Sequence, residues 1–382
     1  MTVSSAMRST SPVLHVAVIG AGAFGGWTAL HLRRLGARVS LLDAWGPGNP
    51  RASSGGETRV LRAVYGPDRV YTEMVRRALP QWIALGQALA KPLYVQTGAL
   101  WLLGEDDRYV RASRPVLEAS GFSLQELTVR EATRRFPILS FEGVRSVYLE
   151  REAGVLHARR ACAAVRDALV DAGGTYARAE VKSSDEVDAD VVVFACGPWL
   201  GRLFPEVLGD GLRPTRQEVL YFGTPASPAD RYAPGSLPVW LDFGERIRYG
   251  MPDLGSGFKL ADDTRGAPFD PTSGDRTPSR EQLALARDFL AKRFPELAAA
   301  PLLRAEVCPY ENSPDGHLVL DRHPERENVW LLGGGSGHGF KLGPAVGELA
   351  AQAIVSEKEV PAMFRLGRLK EAERQTQFER KS

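Results

Sequence analysis

At 382 residues, with 44% apolar and 25% charged residues and a formal net charge of +2, the chain has the composition of a soluble globular protein of two or three domains. The near-neutral balance and the lack of any cluster of four or more Lys/Arg speak against a nucleic-acid partner or an anionic lipid surface. Three widely spaced cysteines, Cys162, Cys196 and Cys308, exclude a complete disulfide framework and a C-x-x-C metal site, and favour a reducing, cytoplasmic compartment.

Residues 1–12 are rich in Ser and Thr and are expected to form a loose tail, and residues 378–382 to fray. Residues 14–19 are a short Val/Ile-rich run that suits a buried parallel strand. Glycines from Gly20 to Gly36 and the charges of Arg33 and Arg34 break the apolar stretch, so neither a membrane span nor a signal peptide fits. A helix is predicted where Phe24, Trp27 and Leu30 recur at three-residue spacing; Gly36 ends it, and residues 39–43 form a second strand. A loop dense in Gly, Pro, Asn and Ser covers 46–56.

Further on, the pattern predicts a helix over 71–87 that Pro80 kinks or divides, a strand pair over 93–103, and a short charged helix over 130–136. A helix over 160–172 precedes a strand at 191–195 that ends in Cys196-Gly197-Pro198. Half-buried strands are predicted at 218–222 and 239–243, a helix at 280–294, a last strand at 329–332 and a last major helix at 344–355. The fold class is α/β. A Rossmann-type nucleotide-binding domain is expected from the discontinuous pieces 13–85, 153–213 and 305–360. A second domain of mostly antiparallel sheet is expected from 86–152 and 214–304, with 361–382 as a tail.

Gly20-Ala21-Gly22-Ala23-Phe24-Gly25 is a G-x-G-x-x-G run between the first strand and its helix. Its glycines allow a tight turn, close approach of backbone N–H groups to a pyrophosphate, and close helix–strand packing. Asp43 ends the second strand, where its carboxylate can accept hydrogen bonds from ribose hydroxyls. These features do not distinguish FAD from NAD. Arg59 and Arg62 stand three apart in Ser53–Arg62 and, taken alone, read as a solvated basic face.

Val307-Cys308-Pro309-Tyr310 and Gly335-Ser336-Gly337-His338-Gly339-Phe340-Lys341 change that reading. Together with residues 55–65 they resemble monomeric sarcosine oxidase and its relatives, within the D-amino-acid-oxidase-like group of FAD enzymes. The resemblance runs from Val16 to about Gln352 and is thin in the middle. It implies FAD contacts at Gly20, Gly22, Ala23, Phe24, Gly25, Asp43, Ser54, Thr58, Arg59, Gly337, Gly339, Phe340 and Lys341. It also implies a covalent thioether from Cys308 to the 8α-methyl of the flavin. The last helix, with Pro344 in its first turn, would turn its positive end to the pyrimidine side of the flavin. Arg62 and Lys341 would bind a substrate carboxylate, with Tyr249 and Tyr310 near the substrate. Lys259 would be the cation over the flavin that assists reaction with O2, with Arg59 and His338 also in the catalytic group. Two departures stand out. The stretch around Gly257-Phe258-Lys259-Leu260 is one residue shorter than the family pattern, and Asp263 replaces a histidine of sarcosine oxidases, which gives the substrate pocket a different charge.

The reaction so implied is oxidation of the C–N bond of a secondary amine or N-alkyl amino acid to an imine, with O2 reduced to H2O2. The alternative is a flavin dehydrogenase, or an oxidase tailoring a larger amine that lacks a free carboxylate. A silent flavin-binding module would be expected to lose Arg62, Lys259 and Lys341, and all three are retained. The other histidines (His15, His31, His157, His317, His323) show no metal-ligand spacing, so no metal is expected. A monomer or weak homodimer is the expected state, with a small amine and O2 as partners.

Overall fold

The structure, a computed structural model, describes residues 13–225, 230–373 and 375–378. The chain folds as mixed α/β. A six-stranded sheet runs, from edge to edge, Val319–His323, Arg326–Gly333, Val191–Phe194, His15–Ile19, Arg38–Asp43 and Thr175–Arg178. All neighbours are parallel except the Val319–His323 edge strand. Every residue of His15–Ile19 is buried, as expected for the centre of a parallel sheet covered on both faces. The carboxyl ends of four parallel strands therefore meet at one edge and deliver Gly20, Asp43, Ala195 and Gly335 to the same crevice, where open α/β sheets bind ligands.

The helix Ala23–Arg34 is clasped by two others. Gly26 faces Val165 of the helix Ala158–Asp171, and Gly343 and Gly347 of the helix Gly343–Ser356 face Ala23 and Trp27. Small residues let the backbones approach. A Cβ on Gly347 would stand 2.5 Å from the backbone carbonyl carbon of Trp27.

The second layer is an eight-stranded sheet in the order Leu302–Asn312, Arg213–Phe222, Phe258–Asp262, Ile247–Met251, Val239–Phe243, Ala99–Leu103, Ser146–Glu150 and Leu124–Leu127. It is antiparallel apart from the pairing of Val239–Phe243 with Ala99–Leu103. Its outer face packs under the helix Arg280–Arg293 around Trp240, Phe258, Phe289 and Phe294. A small sheet of Thr58–Leu61, Gly154–His157 and Tyr94–Gln96 completes the frame.

Four expectations need correction. The 93–103 stretch does hold two strands, but Gly98 (φ +74°) turns the chain between them and they join different sheets. Pro80 does not divide its helix, which continues over Arg69–Ala88; Pro80 is exposed, so water can satisfy the carbonyl it strands. The strand Leu302–Asn312 crosses the expected domain boundary at 304/305 and belongs to the antiparallel sheet. Finally, residues beyond 361 are not a free tail as far as Phe378. Phe364 is buried, Gln377 is 5% exposed, and Phe378 packs against Tyr109 and Phe243. Residues 1–12 and 379–382 lie outside the described residues.

The clasp of glycine against helix backbone yields a direct expectation. Gly347→Ala should cost about 1–3 kcal/mol, the range for overpacking a tight core, because the atoms it meets are backbone and cannot rotate away. Gly367→Ala meets nothing within 4 Å and should change stability by less than about 0.5 kcal/mol. Denaturant unfolding of the two variants measures both.

Candidate functional site

The glycine run forms the turn at the crevice. Gly20 has φ +109°, and a Cβ there would stand 2.3 Å from the Ala195 carbonyl oxygen; a Cβ on Gly25 would stand 1.9 Å from the Gly20 oxygen. Only glycine fits either position. The Ala23 N–H donates to Ser54 Oγ at 3.0 Å, which fastens the 46–56 loop to the start of the helix. Asp43 holds the turn from the other side. Its Oδ2 accepts the Ala21 N–H at 2.7 Å, and its Oδ1 accepts those of Trp45 and Gly46 at 2.8 and 2.6 Å. A carboxylate has about four lone-pair sites, so Asp43 keeps acceptor capacity toward the crevice.

A cavity of about 630 Å³ extends from this turn toward the antiparallel sheet. Of the residues expected to hold a cofactor, Gly20, Gly22, Ala23, Phe24, Asp43, Ser54, Arg59, Gly337, Gly339 and Phe340 line it, and so does Tyr310. Gly25, Thr58, Cys308 and Lys341 are not among the lining residues. Gly25 serves the packing of turn on helix. Thr58 holds Lys259, whose Nζ donates to Thr58 O at 2.9 Å and to Oγ1 at 3.3 Å. Sequence reasoning missed Val181, Lys182, Trp199, Arg202 and Glu311, which also line the cavity. Of these, Trp199 and Arg202 follow the Cys196-Gly197-Pro198 strand end, a visible punctuation mark; Val181 and Lys182 carry no local signal.

The cavity fits FAD. It pairs a helix N-terminus and glycine-loop N–H groups for phosphates with apolar walls that include Val181, Pro198 and Phe340. Its wall also includes Glu311, 4% exposed, with Oε1 lacking a hydrogen-bond partner among the described residues. Burial pushes that carboxyl up to about 7, although backbone N–H groups of Gly334 and Gly335 oppose the shift. A polar ligand would give the oxygen the partner that buried polar atoms require.

Beyond the cavity lies a knot of buried charge. The Arg62 guanidinium carbon stands 4.7 Å from the centre of the Tyr65 ring, and Lys341 Nζ stands 5.3 Å from the same ring. Both residues are 4% exposed. They come from a loop after Thr58–Leu61 and from the turn before Gly343–Ser356, so the fold brings together two cations that are 279 positions apart. Burial, then Arg62, holds the Lys341 ammonium well below its usual range. Arg62 donates to the Val64 carbonyl and Lys341 to His338 O at 2.9 Å. Two carboxyl groups face the pair. Glu150, fully buried, accepts from Trp101 Nε1 at 3.3 Å and from the Ala63 N–H, and burial raises it to about 7 against the pull of Arg62. Asp263 is half-buried as a residue, but its carboxyl group lies under Tyr310, whose hydroxyl donates to Oδ1 at 3.0 Å; burial raises it to about 6. The Tyr249 and Tyr310 hydroxyls are 3.3 Å apart. Glu150 was not foreseen; its one sequence signal is an acid closing the apolar strand Ser146–Glu150.

Lys259 is 2% exposed, and burial followed by Arg59 lowers its ammonium to about 7. Arg59 donates to Thr58 O and Ser53 O, each at 2.7 Å, and to Gly55 O, and lies 5.9 Å from the Phe340 ring. Cys308 packs with Val219, Tyr221, Ala261 and Tyr249; burial raises its thiol, while Arg59 and Lys259 pull it down. His338 has both ring nitrogens engaged. Since a carbonyl only accepts, Nε2–H donates to Gly316 O at 2.9 Å, which leaves Nδ1 to accept from Tyr65 Oη at 3.2 Å. Among the described residues no group of three or more His, Cys, Asp or Glu could hold a metal ion, and no helix is long and apolar enough to cross a membrane.

Comparison with known proteins agrees with this geometry. The family model described as FAD dependent oxidoreductase matches residues 15–353. The human protein named peroxisomal sarcosine oxidase is 30% identical, the match covering 92% of this chain and 95% of that protein. Monomeric sarcosine oxidase of Bacillus sp. (strain B-0618) is 29% identical over 90% of this chain and 92% of its own. Among solved structures, a double-cysteine mutant of Amadoriase I from Aspergillus fumigatus superposes with a TM-score of 0.78 at 23% identity, covering 98% of this chain and 95% of that one. With a family match over most of its length and a glycine-lined crevice that fits the cofactor, the chain belongs to the FAD dependent oxidoreductase family, as a sarcosine oxidase-like member.

Proposed function

We propose that this enzyme oxidises the C–N bond of a secondary amine or N-alkyl amino acid to an imine, with O2 reduced to H2O2. The observation that carries the reading is the convergence of Arg62 and Lys341, two buried cations, on the face of Tyr65 beside the cofactor cavity. A buried cation pair is costly without an anion. Glu150 and Asp263 offset it in part, but both are raised toward neutrality, so a carboxylate substrate completes the balance.

Bound FAD supplies the two-electron acceptor for the hydride that leaves the carbon beside nitrogen, and O2 takes those electrons on as H2O2. The protein residues position and tune. Arg62 and Lys341 grip the carboxylate through charge-assisted hydrogen bonds. Tyr249 and Tyr310, joined to each other and to Asp263, orient the amine end. The amine must lose its proton before the hydride can leave, and Asp263, when ionised, is a nearby acceptor for it. Lys259, held by Thr58, presents a positive charge toward the reaction with O2. Arg59 shares the Thr58 carbonyl with Lys259 and ties down the 53–58 loop through Ser53 O and Gly55 O. We assign His338 a positioning role, because both of its nitrogens are spent on Tyr65 and Gly316.

The flavin would be joined covalently through Cys308. Its Sγ would hold the group as a thioether at the 8α-methyl carbon, with O2 as the two-electron acceptor for making that bond. The second reading, a dehydrogenase or an oxidase of a larger amine without a free carboxylate, is favoured by Asp263, which puts an acid among the substrate-facing groups. We place the enzyme in the cytoplasm as a monomer or weak homodimer.

The covalent link is tested by acid denaturation and a denaturing gel. A fluorescent band should persist in the wild type and vanish in Cys308→Ser, and flavin released from the wild type would refute the link. For Lys259, a lowered pKa means that the charge is present below about pH 7 and lost above it. Reoxidation of reduced enzyme by O2 should therefore slow as pH rises through 7, and Lys259→Met should slow it at every pH while affecting anaerobic reduction by the amine less. Rapid mixing with oxygen reads both; a flat profile and an unchanged Lys259→Met rate remove the role. Losing one charge-assisted hydrogen-bonding partner costs roughly 1.5–3 kcal/mol, so Arg62→Ala should weaken carboxylate binding about tenfold to a hundredfold. Unchanged kcat/KM in that variant, with decarboxylated amines turned over as well as the acids, would favour the second reading.

A further inference from the structure

The end of the chain closes the space over Arg62. Three aromatic rings surround its guanidinium: Tyr65 at 4.7 Å, Trp101 at 5.4 Å and Phe378 at 5.0 Å between guanidinium carbon and ring centre. Tyr65 and Trp101 are fully buried core residues. Phe378 is different. It is half-buried, lies near the chain's end, and is held by edge-on packing against Tyr109 and Phe243, with centroids 5.2 and 5.1 Å apart.

The segment before it is tied to the loops that carry the other site residues. The Gln375 N–H donates to Pro314 O at 2.8 Å, four residues after Tyr310. Arg265, two residues after Asp263, donates from Nη2 to Gln375 O at 2.9 Å. Gly316, whose carbonyl accepts from His338, lies against 375–377; a Cβ on it would stand 3.4 Å from Gln377 N. The segment thus bridges the loop that carries Asp263 and the 313–316 loop that follows the strand of Tyr310, before placing its ring on Arg62.

A guanidinium donates only in its own plane. With three ring centres within 5.4 Å of its central carbon, an anion reaches those donors only through the space that the rings leave open. Whatever the anion carries beyond its carboxylate must then pass the one ring that does not belong to the core. Resting on the carboxylate-binding role given to Arg62 above, we infer that Phe378 is a specificity-determining residue. Its ring is the outer wall of the aromatic box around Arg62, and it restricts the site to carboxylates with compact substituents, such as amino acids bearing a short N-alkyl group.

The test uses the flavin-loaded enzyme with acetate, benzoate and indole-3-acetate as non-reacting probes, each titrated while the flavin absorbance is followed. Phe378→Ala vacates the volume of a phenyl ring beside Arg62. The ratio of the indole-3-acetate Kd to the acetate Kd should fall by about tenfold or more, about 1.4 kcal/mol, with the acetate Kd changed by less than about threefold. Phe378→Leu, which keeps an apolar side chain of lower bulk, should shift the ratio in the same direction by less, and it carries the test if the alanine variant does not fold. An unchanged ratio in a variant with wild-type flavin content overturns the inference, as does a wild-type spectrum that no carboxylate perturbs. Failure of amine oxidation appears in a separate measurement, the absence of peroxide release from N-alkyl amino acids, and can occur while the size ratio still shifts.

Discussion

Keeping three cations inside a folded protein is the constraint on which this structure turns. Arg62, Lys259 and Lys341 are all at most 4% exposed, and an isolated buried charge would cost several kcal/mol even after relaxation. The fold meets that cost with carbonyl oxygens, carboxylates and aromatic faces taken from distant segments. Thr58 holds Lys259, Val64 accepts from Arg62, His338 O accepts from Lys341, and Glu150 and Asp263 supply opposing charge. Two cations still lose proton affinity and two acids gain it. Such opposed shifts in one interior mark groups arranged for binding or chemistry more often than for stability.

The two sheets divide the labour. The parallel sheet brings four strand ends to one edge, and its glycine turn leaves room for phosphates because no Cβ intrudes at Gly20 or Gly25. The antiparallel sheet contributes Lys259, Tyr249, Cys308 and Tyr310 from neighbouring strands, whose hydrogen-bonded register fixes their spacing better than loops could. Where the sheets meet, the turn 337–341 feeds a helix that packs by glycine contacts on the helix after the glycine run. Rigid packing therefore joins the wall of the cofactor cavity to Lys341, one of the two cations over Tyr65.

The C-terminal segment adds an element that belongs to neither sheet. Phe378 reaches Arg62 through a few hydrogen bonds and edge-on ring contacts, whereas Tyr65 and Trp101 are fixed in the core. The ring comes from a segment outside both sheets, although it rests on Phe243 of the antiparallel one.

The local signals in the sequence carried far. The Val/Ile run, the glycine turn, the three-residue apolar spacing and Asp43 specified strand, turn, helix and strand, because each follows from short-range sterics and periodicity. The Cys308 and Gly335–Lys341 stretches, matched to a family, pointed to FAD and to Arg62 and Lys341 as partners. Pairing between distant segments left no such trace. Whether Gln96 and Ala99 share a sheet, and whether Leu302–Asn312 belongs with one layer or the other, depends on hydrogen bonds between strands remote in the chain. Glu150 reads as the polar end of an apolar strand until Arg62 lies beside it, Glu311 as one more acid until a cavity opens next to it, and Phe378 as part of a frayed terminus until its ring covers the guanidinium. Sequence alone determined the first strand, turn, helix and strand, since these depend on neighbours along the chain, and its resemblance to a family gave the cofactor class; tertiary structure decided which charges were buried together, because desolvation and Coulomb energy depend on distance in space.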